Sequence, residues 1–200
     1  MINRLIYQID RLSKAVGHAF AWCIVILMLG TAYEVFVRYA LRSPTSWAFD
    51  LSYLMYGGLF YMAGAYTLSR GGHVRADMFY RKWSSRTQAL VELALYVVFF
   101  FPGILALVVA GGAYGLESLR LREVSVNSPA GVPIWPLKMM IPFGAALIAV
   151  QGLAEVLRCV VCLREGEWPT RLHDVEELET QILKQHAGAD EVPAQQGAAQ

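Results

Sequence analysis

Residues 93–116 read LALYVVFFFPGILALVVAGGAYGL and contain no charged side chain. A helix in a soluble fold shows a polar stripe every 3.6 residues; this stretch shows none. At 24 residues it exceeds the roughly 20 needed to cross the hydrocarbon of a bilayer. With no water there to bond the backbone, a crossing segment of this kind must be a helix. Three more segments of similar length flank it. Residues 15–37 are interrupted by His18 and Glu34, residues 47–68 carry only Asp50, and residues 135–157 carry Lys138 near the start and Glu155 near the end. Composition agrees: 56% of the 200 residues are hydrophobic and 16% charged, against about 25% charged in an average soluble domain. The expected fold is an all-α integral membrane protein with four transmembrane helices. The net charge of +1 gives no reason to expect a nucleic-acid partner.

Lysine and arginine favour the cytoplasmic side of short connectors. Arg4, Arg11 and Lys14 precede span one; Arg70, Arg75, Arg81, Lys82 and Arg86 fill the connector between spans two and three; Arg158, Arg164, Arg171 and Lys184 follow span four. These outnumber Arg38, Arg42, Arg120, Arg122 and Lys138, which fall on the other side. Both termini are therefore expected in the cytoplasm. Residues 1–14 place Ile2, Leu5, Ile6, Ile9 and Leu12 on one helical face, with Arg4, Asp10, Arg11 and Lys14 largely away from it. That pattern predicts an amphipathic arm on the inner surface, although a plain extension of span one fits it too. Residues 158–200 turn polar and form the expected tail, with a short helix over 171–186 and a disordered end. Pro102-Gly103 predicts a kink in span three, and Pro142 a bend in span four.

Ionisable groups inside a membrane are functional candidates. Glu34 and Arg38, four apart on one face, suit an ion pair. The pair either stabilises a helix end or marks an ion-coupling site, and such sites lie near the midplane on broken helices. Cys159 and Cys162 form a CxxC with no second pair to complete a metal set; incidental small apolar residues explain them as well. His18 and His73 lack the matching depth that haem ligation needs. Gly57, Gly58 and Gly64 in span two, Gly111 and Gly115 in span three, and Ala145 and Ala149 in span four allow close helix approach, either within the chain or to a partner. No nucleophile elbow, phosphate loop or catalytic dyad is present, so no enzyme activity and no cofactor is expected.

The connector after span two reads Gly71-Gly72-His73-Val74-Arg75-Ala76-Asp77. Arg38-Tyr39 closes span one, Trp47 and Asp50 open span two, Glu117, Ser118, Glu123 and Ser125 precede Pro133-Ile134-Trp135-Pro136, and Lys138, Ile141-Pro142-Phe143-Gly144 and Gln151 follow. Taken in order over residues 15–157, this set resembles the small membrane subunit of tripartite ATP-independent periplasmic (TRAP) transporters, which more often has Glu where this chain has Asp50. The resemblance implies a non-catalytic permease subunit in the bacterial inner membrane. Its implied partners are a large membrane permease subunit, which uses a sodium gradient, and a periplasmic binding protein that captures an organic acid; membrane lipids surround it. Arg38, Tyr39, Trp47, Asp50, His73, Arg75, Asp77, Trp135 and Gln151 become candidates for structural or subunit-interface roles. A membrane anchor of a redox enzyme, binding haem or quinone, is the alternative.

Overall fold

A computed structural model describes residues 2–72, 80, 83–127 and 129–169. His73, Arg75, Asp77 and the tail beyond residue 169 lie outside the described residues. Four long helices make up the described part, with no strand. They are α1 (Ile2–Ala40), α2 (Ala48–Ser69), α3 (Ser85–Leu121) and α4 (Trp135–Glu165). The all-helical expectation holds. α1, α3 and α4 are each long and apolar enough to cross a membrane. α2 has the length, 22 residues or about 33 Å. Its four tyrosines (Tyr53, Tyr56, Tyr61, Tyr66) and three glycines keep its hydropathy over a membrane-length stretch below that of the other three.

Local sequence explains where the helices start and stop. α2 ends at a left-handed Gly71, whose following amide, Gly72 N, bonds back to Thr67 O at 3.0 Å, the turn that a glycine pair favours. Ser84 caps α3 by accepting from Thr87 N. Pro136 stands in the first turn of α4 and a left-handed Gly166 closes it. The disturbance expected at Pro102 takes a definite form. Residues Tyr96–Phe100 widen into a π-turn, in which Phe101 N bonds to Tyr96 O. The wide turn relieves the clash of the proline ring with the preceding turn.

Residues 1–14 follow the second of their two readings, a plain extension of span one: α1 runs unbroken for 39 residues. Two expectations need correction. Asp10, expected on the solvated side, is buried together with Ile6, Ser13 and Gly17. α4 continues to Glu165, eight residues past the expected end of span four, and buries Arg158, Cys159, Val161 and Cys162. Periodicity within the arm alone points Asp10 outward, while α4 lies alongside and covers it through Gln151 and Arg158.

α4 is the common surface. α1 and α2 pack on each other and on α4, and α3 packs on α4 from another side. Glycines set the spacing. A Cβ on Gly144 would lie 2.6 Å from the carbonyl oxygen of Tyr61, so α2 and α4 touch backbone to backbone there. A Cβ on Gly17 would lie 2.5 Å from Tyr66 Cβ, where α1 meets α2. Gly111 faces Ile141 and Gly115 faces Met139. The small residues noted in the sequence thus serve contacts within the chain. The outer faces of α1 and α3 remain apolar and exposed, with Trp22, Met28, Phe36, Phe99 and Val109 among them.

Candidate functional site

The buried charges gather at the two ends of the bundle. One end holds the start of α1, the end of α2, the start of α3 and the end of α4, as the contacts Asp10–Arg158, Gly17–Tyr66 and Cys162–Ser85 require. There Gln151, with no exposed surface, sits at the centre of a network. Ser13 Oγ donates to its Oε1 at 2.7 Å, and its Nε2 donates to Asp10 Oδ1 at 2.9 Å and to Glu155 Oε1 at 3.3 Å. Arg158, 1% exposed, reaches Asp10 Oδ2 through Nη2 and Glu155 Oε1 through Nη1. The guanidinium fork thus bridges a carboxylate of α1 and one of its own helix, while the glutamine amide ties the same pair together. Removing charges from water is costly, and only good pairing offsets it. In this network each carboxylate accepts from both the arginine and the glutamine.

The other end is held by side-chain contacts centred on Glu34, Asp50 and Glu123. Glu34 Oε1 accepts from Arg38 Nε at 3.0 Å and from Nη2 at 2.5 Å. Its Oε2 accepts from the backbone N of Thr45 at 3.1 Å and from the Thr45 hydroxyl. The i,i+4 pair predicted from sequence is therefore a clamp on the α1–α2 connector. Asp50, 1% exposed in the first turn of α2, accepts from Ser125 Oγ at 2.5 Å, a site the helix N-terminus favours for an anion. Lys138 Nζ donates to Glu123 Oε2 at 2.5 Å and lies 4.3 Å from the centroid of the Tyr114 ring. The Lys138 contact holds the Glu123 carboxyl below its usual range, helped by the Ser118 side chain. Two backbone bonds, Ser125 N to Val132 O at 2.8 Å and Ile134 N to Glu123 O at 3.1 Å, close the α3–α4 connector into a narrow strap.

The candidates from sequence separate by position. Arg38, Trp47 and Asp50 stand at the strap end, with Trp47 stacked on Tyr33 at 6.1 Å between centroids. Tyr39 is exposed beside them and Trp135 opens α4. Gln151 belongs to the opposite end. Asp10, Ser13, Glu155 and Arg158 were missed as a group. The available signal was Glu155 and Arg158, three apart in an apolar helix, together with an aspartate in an otherwise basic arm. Cys159 and Cys162 are buried with Ala89 against Leu93, Leu163 and Trp168, and Cys162 Sγ lies 3.6 Å from Ser85 O. Among the described residues no group of three potential ligands is placed to hold a metal. His18 is exposed and packs on Tyr66 at 5.4 Å between centroids.

No curated protein matches the chain. The family described as "Tripartite ATP-independent periplasmic transporters, DctQ component" matches residues 27–162. That stretch contains Glu34, Asp50, Gln151, Glu155 and Arg158, and leaves out Asp10 and Ser13. It covers more than half of the chain and places it with transporter components rather than with enzymes or their redox anchors. The chain belongs to the DctQ family, the small membrane component of tripartite ATP-independent periplasmic transporters.

Proposed function

We propose that this chain is the small permease subunit of a TRAP-type secondary transporter for an organic acid. It packs beside a large membrane subunit and supports it during binding-protein-dependent uptake, which the large subunit drives with a sodium gradient. The family match over residues 27–162 carries this reading. The use of charge supports it: Asp10, Glu155 and Arg158 are tied to one another and Asp50 to the strap, a pattern that holds helices together. In this reading α2 is the fourth span and the Asp10 end lies in the cytoplasm. The Asp50 end faces the periplasm across the inner membrane, and lipid covers the helix faces that the large subunit leaves bare.

The test is reconstitution of the large subunit into liposomes with and without this chain. A carboxylate-loaded binding protein is supplied outside with a sodium gradient. Uptake that needs both the chain and the gradient is the expected result. Equal uptake without the chain, or ion flux through liposomes holding this chain only, overturns the proposal.

A further inference from the structure

α4 ends at Glu165, and the chain then turns back over the start of α3. Gly166 makes the turn at φ 85°, where a side chain would be unfavourable. Two residues on, the indole Nε1 of Trp168 donates to Gln88 Oε1 at 3.1 Å. The other side of the same amide holds the α2–α3 connector: Gln88 Nε2 donates to Tyr80 O at 3.0 Å and to Trp83 O at 3.2 Å. Tyr80 is fixed a second time, its hydroxyl donating to Glu92 Oε1 at 2.5 Å. One amide therefore joins the segment leaving α4 to the corner entering α3. Trp168 also packs on the cluster that holds Cys159 and Cys162, both 0% exposed. Three apart, the two thiols share one face of the last turns of α4. Cys159 Sγ lies 3.9 Å from Glu92 Oε2 and Cys162 Sγ 3.6 Å from Ser85 O.

We propose that Trp168 is the latch of a masked dithiol. While it is closed, Cys159 and Cys162 do not react and the corner at Tyr80 and Trp83 is held. When it opens, both thiols become accessible to exchange with a small disulfide and the corner is released. Buried thiols are inert, whereas accessible ones react as thiolates. The latch is the weak point of its surroundings: it lies outside the helix, held by the Trp168–Gln88 bond and one indole face, while both cysteines stand inside the continuous α4. Segments held in this way open locally at far lower cost than the whole fold. In the exchange, a thiolate of the pair attacks one sulfur of the small disulfide. A new S–S bond forms, the old one breaks, and the other half leaves as a thiolate. An adduct on either cysteine adds volume where Trp168 packs, so the modified chain keeps the latch open. The reduced and modified forms thereby differ in their grip on the α2–α3 connector, and a reductant returns one to the other.

The experiment uses the full chain in nanodiscs, with Cys23→Ser so that only the pair reports, and an aromatic disulfide as the probe. Loss of free thiol is followed by mass spectrometry. Hydrogen exchange at the Trp83 and Gln88 amides reports on the corner, since they bond to Tyr80 O and Ser84 O. With Trp168 present the thiols are expected to react slowly, and in Trp168→Ala about tenfold faster. Trp168→Phe covers the thiols without an indole N–H, so it should keep most of the thiol protection yet speed exchange at the corner. Gln88→Ala should speed that exchange as well. Treating the chain that retains Trp168 with the disulfide should have the same effect on the corner, reversed by a reductant. Equal thiol rates with Trp168 and with alanine overturn the inference, and so does an adduct that leaves exchange at Trp83 unchanged. Loss of exchange protection throughout α1 and α2 in Trp168→Ala would make Trp168 an ordinary core residue and overturns it too.

Discussion

Arg158 balances two carboxylates from within a helix, so the consequences of replacing it are asymmetric. Arg158→Met leaves Asp10 and Glu155 buried without a cation, a change that costs about 3–5 kcal/mol in buried pairs. Asp10→Asn keeps an acceptor for Gln151 and removes one of the two negative charges, so its cost is expected to be clearly smaller. Thermal melting of the purified variants checks the order, and equal melting of the two would contradict the network described. Glu123 gives a pH signature at the other end. Its folded carboxyl titrates below the ordinary value of 4.5 because of Lys138. The stability it contributes is therefore fully present above that value and is lost as pH falls through the lowered folded value. Glu123→Gln should lower the melting temperature at neutral pH and converge with the native protein in acid, where the native carboxyl is protonated; a constant difference across the whole pH range would contradict this. Gln151 was legible from sequence as a motif residue and Glu34–Arg38 as a pair. Asp10 was not, because its partners lie about 140 residues away and helical periodicity within the arm points it outward.

The helices themselves show where glycine is required and where it is not. Gly144 allows α2 and α4 to meet at the backbone, and any side chain there must push the Tyr61 carbonyl away. Gly103, in α3, has open space where a Cβ would be. Gly144→Ala is expected to destabilise the bundle, by about 1–3 kcal/mol if the backbone must shift. Gly103→Ala should stabilise α3 by up to about 1 kcal/mol through helix propensity. Opposite signs in unfolding measurements are the result to look for, and a neutral Gly144→Ala would mean that the α2–α4 contact is looser than described. Small residues at helix-contact spacing were visible in the sequence. Their partners were not, since the same spacing serves an internal neighbour or a foreign helix equally well. Helix ends were legible where glycine, serine or proline marks them. The continuation of α4 past Leu157 was obscured because arginine there looks like the start of a tail until its partners are known.

For the whole molecule, the number and order of the long helices could be read from apolar run length, and the up-and-down arrangement follows from the short connectors. The proposed orientation rests on charge bias, which keeps its sign even with Arg158 set aside as a buried structural cation. Membrane-impermeant thiol labelling of intact cells provides the check. Ser43→Cys is expected to label from outside and Glu167→Cys only after the membrane is opened; the reverse pattern would invert the topology proposed.

Because every helix rests on α4, the order of synthesis has a consequence. α1 and α2 can pair as soon as both have been made, but the surface that α3 packs on is translated last. Asp10 waits longest of all: Arg158 leaves the ribosome 148 residues later, a delay on the order of ten seconds at bacterial rates. Until then the nascent chain carries an unneutralised carboxylate at the membrane. A transcript cut short before α4 therefore leaves Asp10 without its partner arginine.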